Sequence, residues 1–181
     1  MTSPEVCVDP VAEIVNTFVG VLKDVFDPDP EGPCPPLVGT TANVRFFAGE
    51  GAPLAAWNAH AEGEGCDDPF LWVRVMRRYR SRTFPAPVAA SESDIICDMP
   101  KVVAVEIGVG RCAVVDQEPS WDDYAREAQI SLDDSWRIES AVCAVTKRLA
   151  AKSYRVGADT IAPVGPEGGV IAWTAVVYVG Y

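Results

Sequence analysis

The sequence predicts an α+β fold: a mostly antiparallel sheet of about four strands with two helices packed on one face. Three observations carry this. Residues 70–82 and 101–115 are long runs rich in β-branched and aromatic residues, and a third such run closes the sequence at 170–181. An amphipathic stretch precedes the first run, and a long helical pattern separates the last two. The order of elements is helix, strands, helix, strand, as an α+β domain requires. At 181 residues the chain is long enough for one domain with a full core and short for two.

The first helix is expected over 9–27. Asp9 can cap it and Pro10 suits its first position. Val11, Ile14, Val15, Phe18, Leu22, Val25 and Phe26 share one face, and Asp27-Pro28 ends it. Five prolines in 27–36 make an extended connector. A short strand fits 43–48. The Gly-, Ala- and acid-rich stretch 49–69 reads as a loop excursion inside the domain, with a weak strand at 53–59 and an exposed His60.

In the 70–82 strand, strict alternation puts Leu71, Val73, Val75 and Tyr79 on one face, with Arg77 among them. It puts Trp72, Arg74, Met76, Arg78, Arg80 and Arg82 on the other. In the 101–115 strand, Val103, Val105, Ile107 and Val109 form the core face, with Glu106 opposite. Antiparallel pairing lets Glu106 meet Arg74 or Arg78. The second helix is expected over 120–152, capped by Ser120 with Asp122 and Asp123 in its first turn. Trp121, Ala125, Ala128, Leu132 and Trp136, then Val142, Cys143, Val145 and Leu149, sketch its apolar stripe. Ser131-Leu132-Asp133-Asp134 is a candidate break, where a second helix would restart. A short strand is placed at 159–162. Gly165-Pro166-Glu167-Gly168-Gly169 reads as a turn, because no Gly-x-x-x-x-Gly-Lys phosphate loop is present.

Composition bounds the function. A formal net charge of −11 argues against generic nucleic-acid binding, since there is no counterion-release gain. No window is apolar enough to span a bilayer, and Met1–Glu5 has neither the basic region nor the apolar stretch of a signal peptide. The expectation is a protein made in the cytoplasm, with its thiols reduced by default. The six cysteines (Cys7, Cys34, Cys66, Cys97, Cys112, Cys143) contain no Cys-x-x-Cys pair. Cys66 precedes one long strand and Cys112 ends the next, so antiparallel pairing brings them close. They form a disulfide, half of a metal site with Cys97 or His60, or buried thiols; Cys7 and Cys143 read as packing residues. Glu62, Glu64, Asp67 and Asp68 lack the spacing of a calcium loop. No nucleophile, base and orienting group can be nominated together, so no catalytic residue, cofactor or metal site is assigned and no enzyme is expected.

Five of the chain's 15 basic residues (Arg74, Arg77, Arg78, Arg80 and Arg82) fall within nine positions. Together with Trp72 they suggest a docking surface, against the plainer reading of a charged edge strand that discourages aggregation.

The motifs add a resemblance. Cys66 with Leu71-Trp72-Val73-Arg74-Val75, Phe84-Pro85-Ala86-Pro87, Val105-Glu106-Ile107-Gly108-Val109-Gly110-Arg111-Cys112, and Pro163–Gly169 followed by Trp173 carry it. So does the element order. Together they resemble the tail terminator proteins of long-tailed, non-contractile phages such as lambda. The likeness is nearer to tail terminators and head-to-tail connector proteins of phages infecting actinobacteria. The quoted stretches are a minority of the chain, while the order of motifs extends over most of it. The chain is longer than the lambda-type protein, and its 49–69 segment has no counterpart.

The resemblance implies a virion structural protein assembled in the host cytoplasm and lodged at the head–tail junction. It implies a homohexameric ring on the last ring of the tail tube. That ring ends polymerisation, contacts the major tail tube protein and the head-side connector or stopper, and lets DNA pass without specific binding. Ring or partner contacts are expected at Trp72, Arg74, Arg78, Arg80 and Arg82. The alternatives are a head-completion, stopper or adaptor protein of the same connector and, in a different class, a small cytoplasmic Cys-based metal-binding module.

Overall fold

The computed structural model describes residues 8–27, 34–49, 53, 56–57, 60, 68–89, 91–92, 94–115 and 118–181. In chain order the elements are α1 (Pro10–Phe26), β1 (Val44–Phe47), β2 (Phe70–Arg80), a 3-10 turn at Ile96–Asp98, β3 (Lys101–Cys112), α2 (Trp121–Ala150), β4 (Arg155–Ala158), β5 (Ala162–Glu167) and β6 (Val170–Gly180). The fold is α+β. The sheet is larger than the four strands expected: among the described residues it has six, in the order β1-β2-β3-β6-β4, with β5 also paired to β6. It is mixed, because β1 runs parallel to β2 while every other pairing is antiparallel.

The additional strands are short and lie at the margins. β4 and β5 share one side of β6, β4 along Val177–Gly180 and β5 along Val170–Thr174. The proposed strand at 159–162 falls in the gap between them except for Ala162, the first residue of β5. The Gly168-Gly169 turn joins β5 to β6 with both glycines at positive φ (59° and 77°). That is the twist a two-residue hairpin needs and an L side chain resists. The proposed strand at 53–59 lies mostly outside the described residues; Ala56 and Trp57 within it are helical.

Both helices pack on one face of the sheet. Asp9 caps α1 by accepting from Val11 N, with Pro10 at the first position. Ser120 caps α2 in a reciprocal box with Asp123. α2 runs unbroken for 30 residues, so Ser131–Asp134 does not restart a helix. Val11, Ile14, Phe18, Leu22 and Phe26 of α1, and Ile138, Ala141, Val145 and Leu149 of α2, bury against Leu71, Val73, Val103, Val105, Ile107, Val109, Ala175, Val177 and Val179. Ion pairs lace the two helices in antiparallel order: Asp24 with Arg148, and Glu13 with Lys152. Arg137 donates to Val25 O at 3.0 Å.

The opposite face carries a smaller cluster of Trp57, Phe70, Trp72, Val170 and Ala172. Trp72 is fully buried there. Its ring lies flat over Gly108, where a Cβ would come within 2.2 Å of it. No side chain but hydrogen fits beneath that indole.

One irregularity reorganises the face assignments. The β2–β3 register slips between Val75 and Arg77. Before the slip, Arg74 stands opposite Glu106. After it, Arg77 faces Ala104, Arg78 faces Val103 and Arg80 faces Lys101. The bulge reverses the alternation, as one inserted residue must. Arg78 and Arg80 therefore lie on the helix-covered face with Val103, while Arg74 lies on the Trp72 face. The expected single row of Arg74, Arg78, Arg80 and Arg82 does not exist.

Candidate assembly surface

The arginine strand divides into an internal part and an external part. Arg74 is 4% exposed and Glu106 7%. Arg74 donates to Glu106 from Nε (3.1 Å) and from a terminal nitrogen (2.7 Å), and from its other terminal nitrogen to Gly49 O (3.0 Å). Trp72 Nε1 donates to the same carboxylate at 3.0 Å. The expected Arg74–Glu106 contact is present, as the register requires. Arg74 and Trp72 are nonetheless removed from any contact surface: both lie inside the protein, and their polar atoms are spent on Glu106 and Gly49.

The remaining arginines lie nearer the surface. Arg78 is a half-exposed partner of Asp9, so the cap of α1 is also its tether to β2. That hydrogen bond, with a second from Val11 N, holds the Asp9 carboxyl below the usual range. Arg80 is half-buried, and Arg82 is exposed and paired with Asp94. Arg77 lies over the Tyr79 ring, 4.9 Å from its centre. Tyr79 in turn donates its hydroxyl to Pro85 O at 2.6 Å.

The aromatic part of the apolar stripe expected from helical spacing in α2 is not core. Trp121 is 88% exposed, Leu132 70%, Trp136 48% and Tyr124 44%. The residues α2 buries are Asp134, Arg137, Ile138, Ala141, Val145 and Leu149. Arg137 reaches Val25 O near the end of α1, and beyond it the neighbour of α2 is the 34–38 segment, with Cys34 O bonded to Arg137 and Leu37 N to Asp133; these aromatics, in the first half of α2, stay exposed beside it. Sequence periodicity located these aromatics but carried no sign of which neighbour reaches them. A cluster of large exposed apolar side chains marks an interaction site.

Beneath that half of α2 lies a cleft of about 450 Å³, bounded by the end of β3 and the start of β6. Its floor holds a buried bidentate pair, Arg111 Nε to Asp134 at 2.7 Å and a second nitrogen at 3.0 Å. Burial pushes the Asp134 carboxyl up, and Arg111 opposes the shift. Trp173 donates to Ser131 Oγ at 2.8 Å across the cleft. A smaller groove of about 270 Å³ opens on the other flank, between α1 and the β1–β2 margin, and includes the exposed Phe46.

The remaining sequence candidates fall elsewhere. Cys112 is disulfide-bonded, which corrects the expectation of reduced thiols at that position; Cys66 and Cys7 lie outside the described residues. Cys34, Cys97 and Cys143 are free and exposed, so Cys143 is not a packing residue. His60 is buried rather than exposed. Its ring sits 5.2 Å from Trp57 and 5.3 Å from Phe70, with Nε2 3.0 Å from Asp68 O. A disulfide sulfur is not available as a thiolate ligand, and among the described residues no cluster of three His, Cys, Asp or Glu side chains stands ready for a metal. Glu62, Glu64 and Asp67 lie outside the described residues. No helix among the described residues is long and apolar enough to cross a membrane.

No protein-family profile matches this chain, and no curated protein matches it.

Proposed function

We propose that this chain is the subunit of a virion ring that caps the tail tube of a long-tailed phage, ends its polymerisation and joins the tail to the head connector. The observation that carries the reading is the exposed aromatic half of α2, opposite a sheet margin with its own exposed Phe46 and arginines. A closed ring needs two different, complementary surfaces on each subunit. A chain with exposed apolar and charged side chains at opposite ends fits a building block. The formal charge of −11 suits a lumen through which DNA passes without adhering. Its partners in this reading are copies of itself, the major tail tube protein and the head-side connector or stopper.

The test is the tail-length distribution, by electron microscopy, in lysates of a phage lacking this gene. Overlong, headless tubes are expected. Normal-length tails beside full, unjoined heads assign the chain instead to the stopper or adaptor role, and intact infectious particles overturn the structural reading. Stoichiometric zinc in the purified protein would favour the Cys-based metal module, against which the Cys112 disulfide already counts.

A further inference from the structure

We infer that the disulfide of Cys112 joins it to Cys66, and that the bond is a redox-set staple closed on a sheet already folded. It does not depend on the ring reading.

Elimination leaves two candidates for the partner. Cys34, Cys97 and Cys143 are free and Cys112 is bonded, so within the chain the partner is Cys7 or Cys66. Chain reach decides between them. A disulfide needs its two Cα atoms within about 7 Å, and two residues of extended chain cover at most about 7 Å. Asp9, two residues after Cys7, is bonded to Arg78, which stands opposite Val103. From Val103 to Cys112 along β3 is about 30 Å at the rise of a strand. Cys7 therefore belongs to the wrong end of the sheet.

Cys66 belongs to the right end. Phe70 stands opposite Gly110, so the same antiparallel register brings Asp68 level with Cys112. Asp68 is tied there, its carbonyl oxygen 3.0 Å from Nε2 of the buried His60. Cys66 is two residues from Asp68, within the reach that the bond requires.

The bond is added to a site that the sheet makes without it. The β2–β3 ladder extends from Phe70–Gly110 to Arg80–Lys101, and so brings the two positions together by backbone pairing. Cys112 is half-buried at the end of β3 and lines the cleft beneath α2, open to a small reagent. Just past it the chain crosses towards α2, Ala113 N donating to Gly169 O at 2.8 Å and Val114 N to Glu127. Closing the disulfide clamps this corner and constrains the unfolded chain.

Closure is a two-electron oxidation, and a small-molecule disulfide is the oxidant. One cysteine thiolate attacks a sulfur of that reagent and expels a first small thiol. The second cysteine thiolate attacks the mixed disulfide and expels the other. The two protons lost by the cysteines end on the two small thiols. In a reducing compartment the pair stays open, and in an oxidising one it closes. One fold thus exists in an unstapled and a stapled form.

The experiment begins with the full chain oxidised by glutathione disulfide, alkylated as it is unfolded and digested with trypsin without reductant. Mass spectrometry is expected to find peptide 112–126 linked to peptide 46–74. A link to peptide 1–23 overturns the pairing, and peptide 112–126 found only in its alkylated form overturns the bond. Circular dichroism and urea titration then compare oxidised with reduced protein. Reduction should leave the spectrum unchanged and lower the urea midpoint. Cys66→Ser should match the reduced wild type and respond no further to reductant, while Cys7→Ser behaves as wild type. Loss of the folded spectrum on reduction would make the bond a condition of folding and overturn the staple. An unchanged midpoint would overturn the clamp.

Discussion

Glu106 is a buried carboxylate that holds two side chains of β2 at once. It accepts from Trp72 and twice from Arg74, and all three bonds are buried. Removing it leaves a guanidinium buried without its counter-charge, which costs about 3–5 kcal/mol. Glu106→Ala should therefore lower the urea midpoint sharply, while Arg82→Ala, which breaks an exposed pair, should move it by no more than about 1 kcal/mol. Equal effects from the two variants would mean that the buried network carries no special weight. The Arg74–Glu106 contact was legible in the sequence, because alternation along two adjacent strands places both residues on one face. That Trp72 joins it was not. Its burial depends on Gly108 leaving room beneath the indole, a cross-strand fit that no local pattern encodes.

At the scale of elements, the capping signals were the most readable. Asp9-Pro10 and Ser120 with Asp123 begin the helices where their chemistry demands. The long strands followed from their β-branched runs. The bulge between Val75 and Arg77 leaves no mark in the sequence, neither Gly nor Pro, yet it decides which face Arg77, Arg78 and Arg80 occupy. It also brings Arg78 to Asp9, and so ties the first turn of α1 to β2. The Asp9 carboxyl is depressed, chiefly by its hydrogen bond from Arg78 and then by that from Val11 N. A depressed acid stabilises the folded state above its ordinary value, and that contribution is lost as pH falls through the lowered one. The first turn of α1 should accordingly fray at acid pH before the middle of α2 does. Amide exchange measured down the pH scale reads this directly. In Arg78→Gln the fraying should begin at higher pH, and an unchanged onset would show that Arg78 does not set it.

For the whole molecule, the sheet is asymmetric in charge as well as in cover. The β1–β2 flank is rich in arginine, and the overhanging start of α2 is acidic. Contacts between such surfaces weaken as salt shortens the Debye length from about 10 Å at 0.1 M to about 3 Å at 1 M. Sedimentation across that range should show the assembled fraction falling with sodium chloride. An assembled fraction that rises instead would point to a contact governed by apolar burial alone. The overall architecture was legible from the order of elements. The count and placement of strands was not, because β1, β4 and β5 are short pieces whose pairing is imposed by β2 and β6 rather than by their own sequences.

β6 has a temporal consequence. It pairs with β3 on one side and with β4 and β5 on the other, and it follows all three in the chain. During synthesis those three strands must wait with open hydrogen-bonding edges until β6 emerges and slides between them. The final seam of the sheet is thus sealed by its latest-made piece, and the half-made protein has no finished body from which α2 can overhang. The sheet, and with it the body that α2 overhangs, is complete only once β6 is in place.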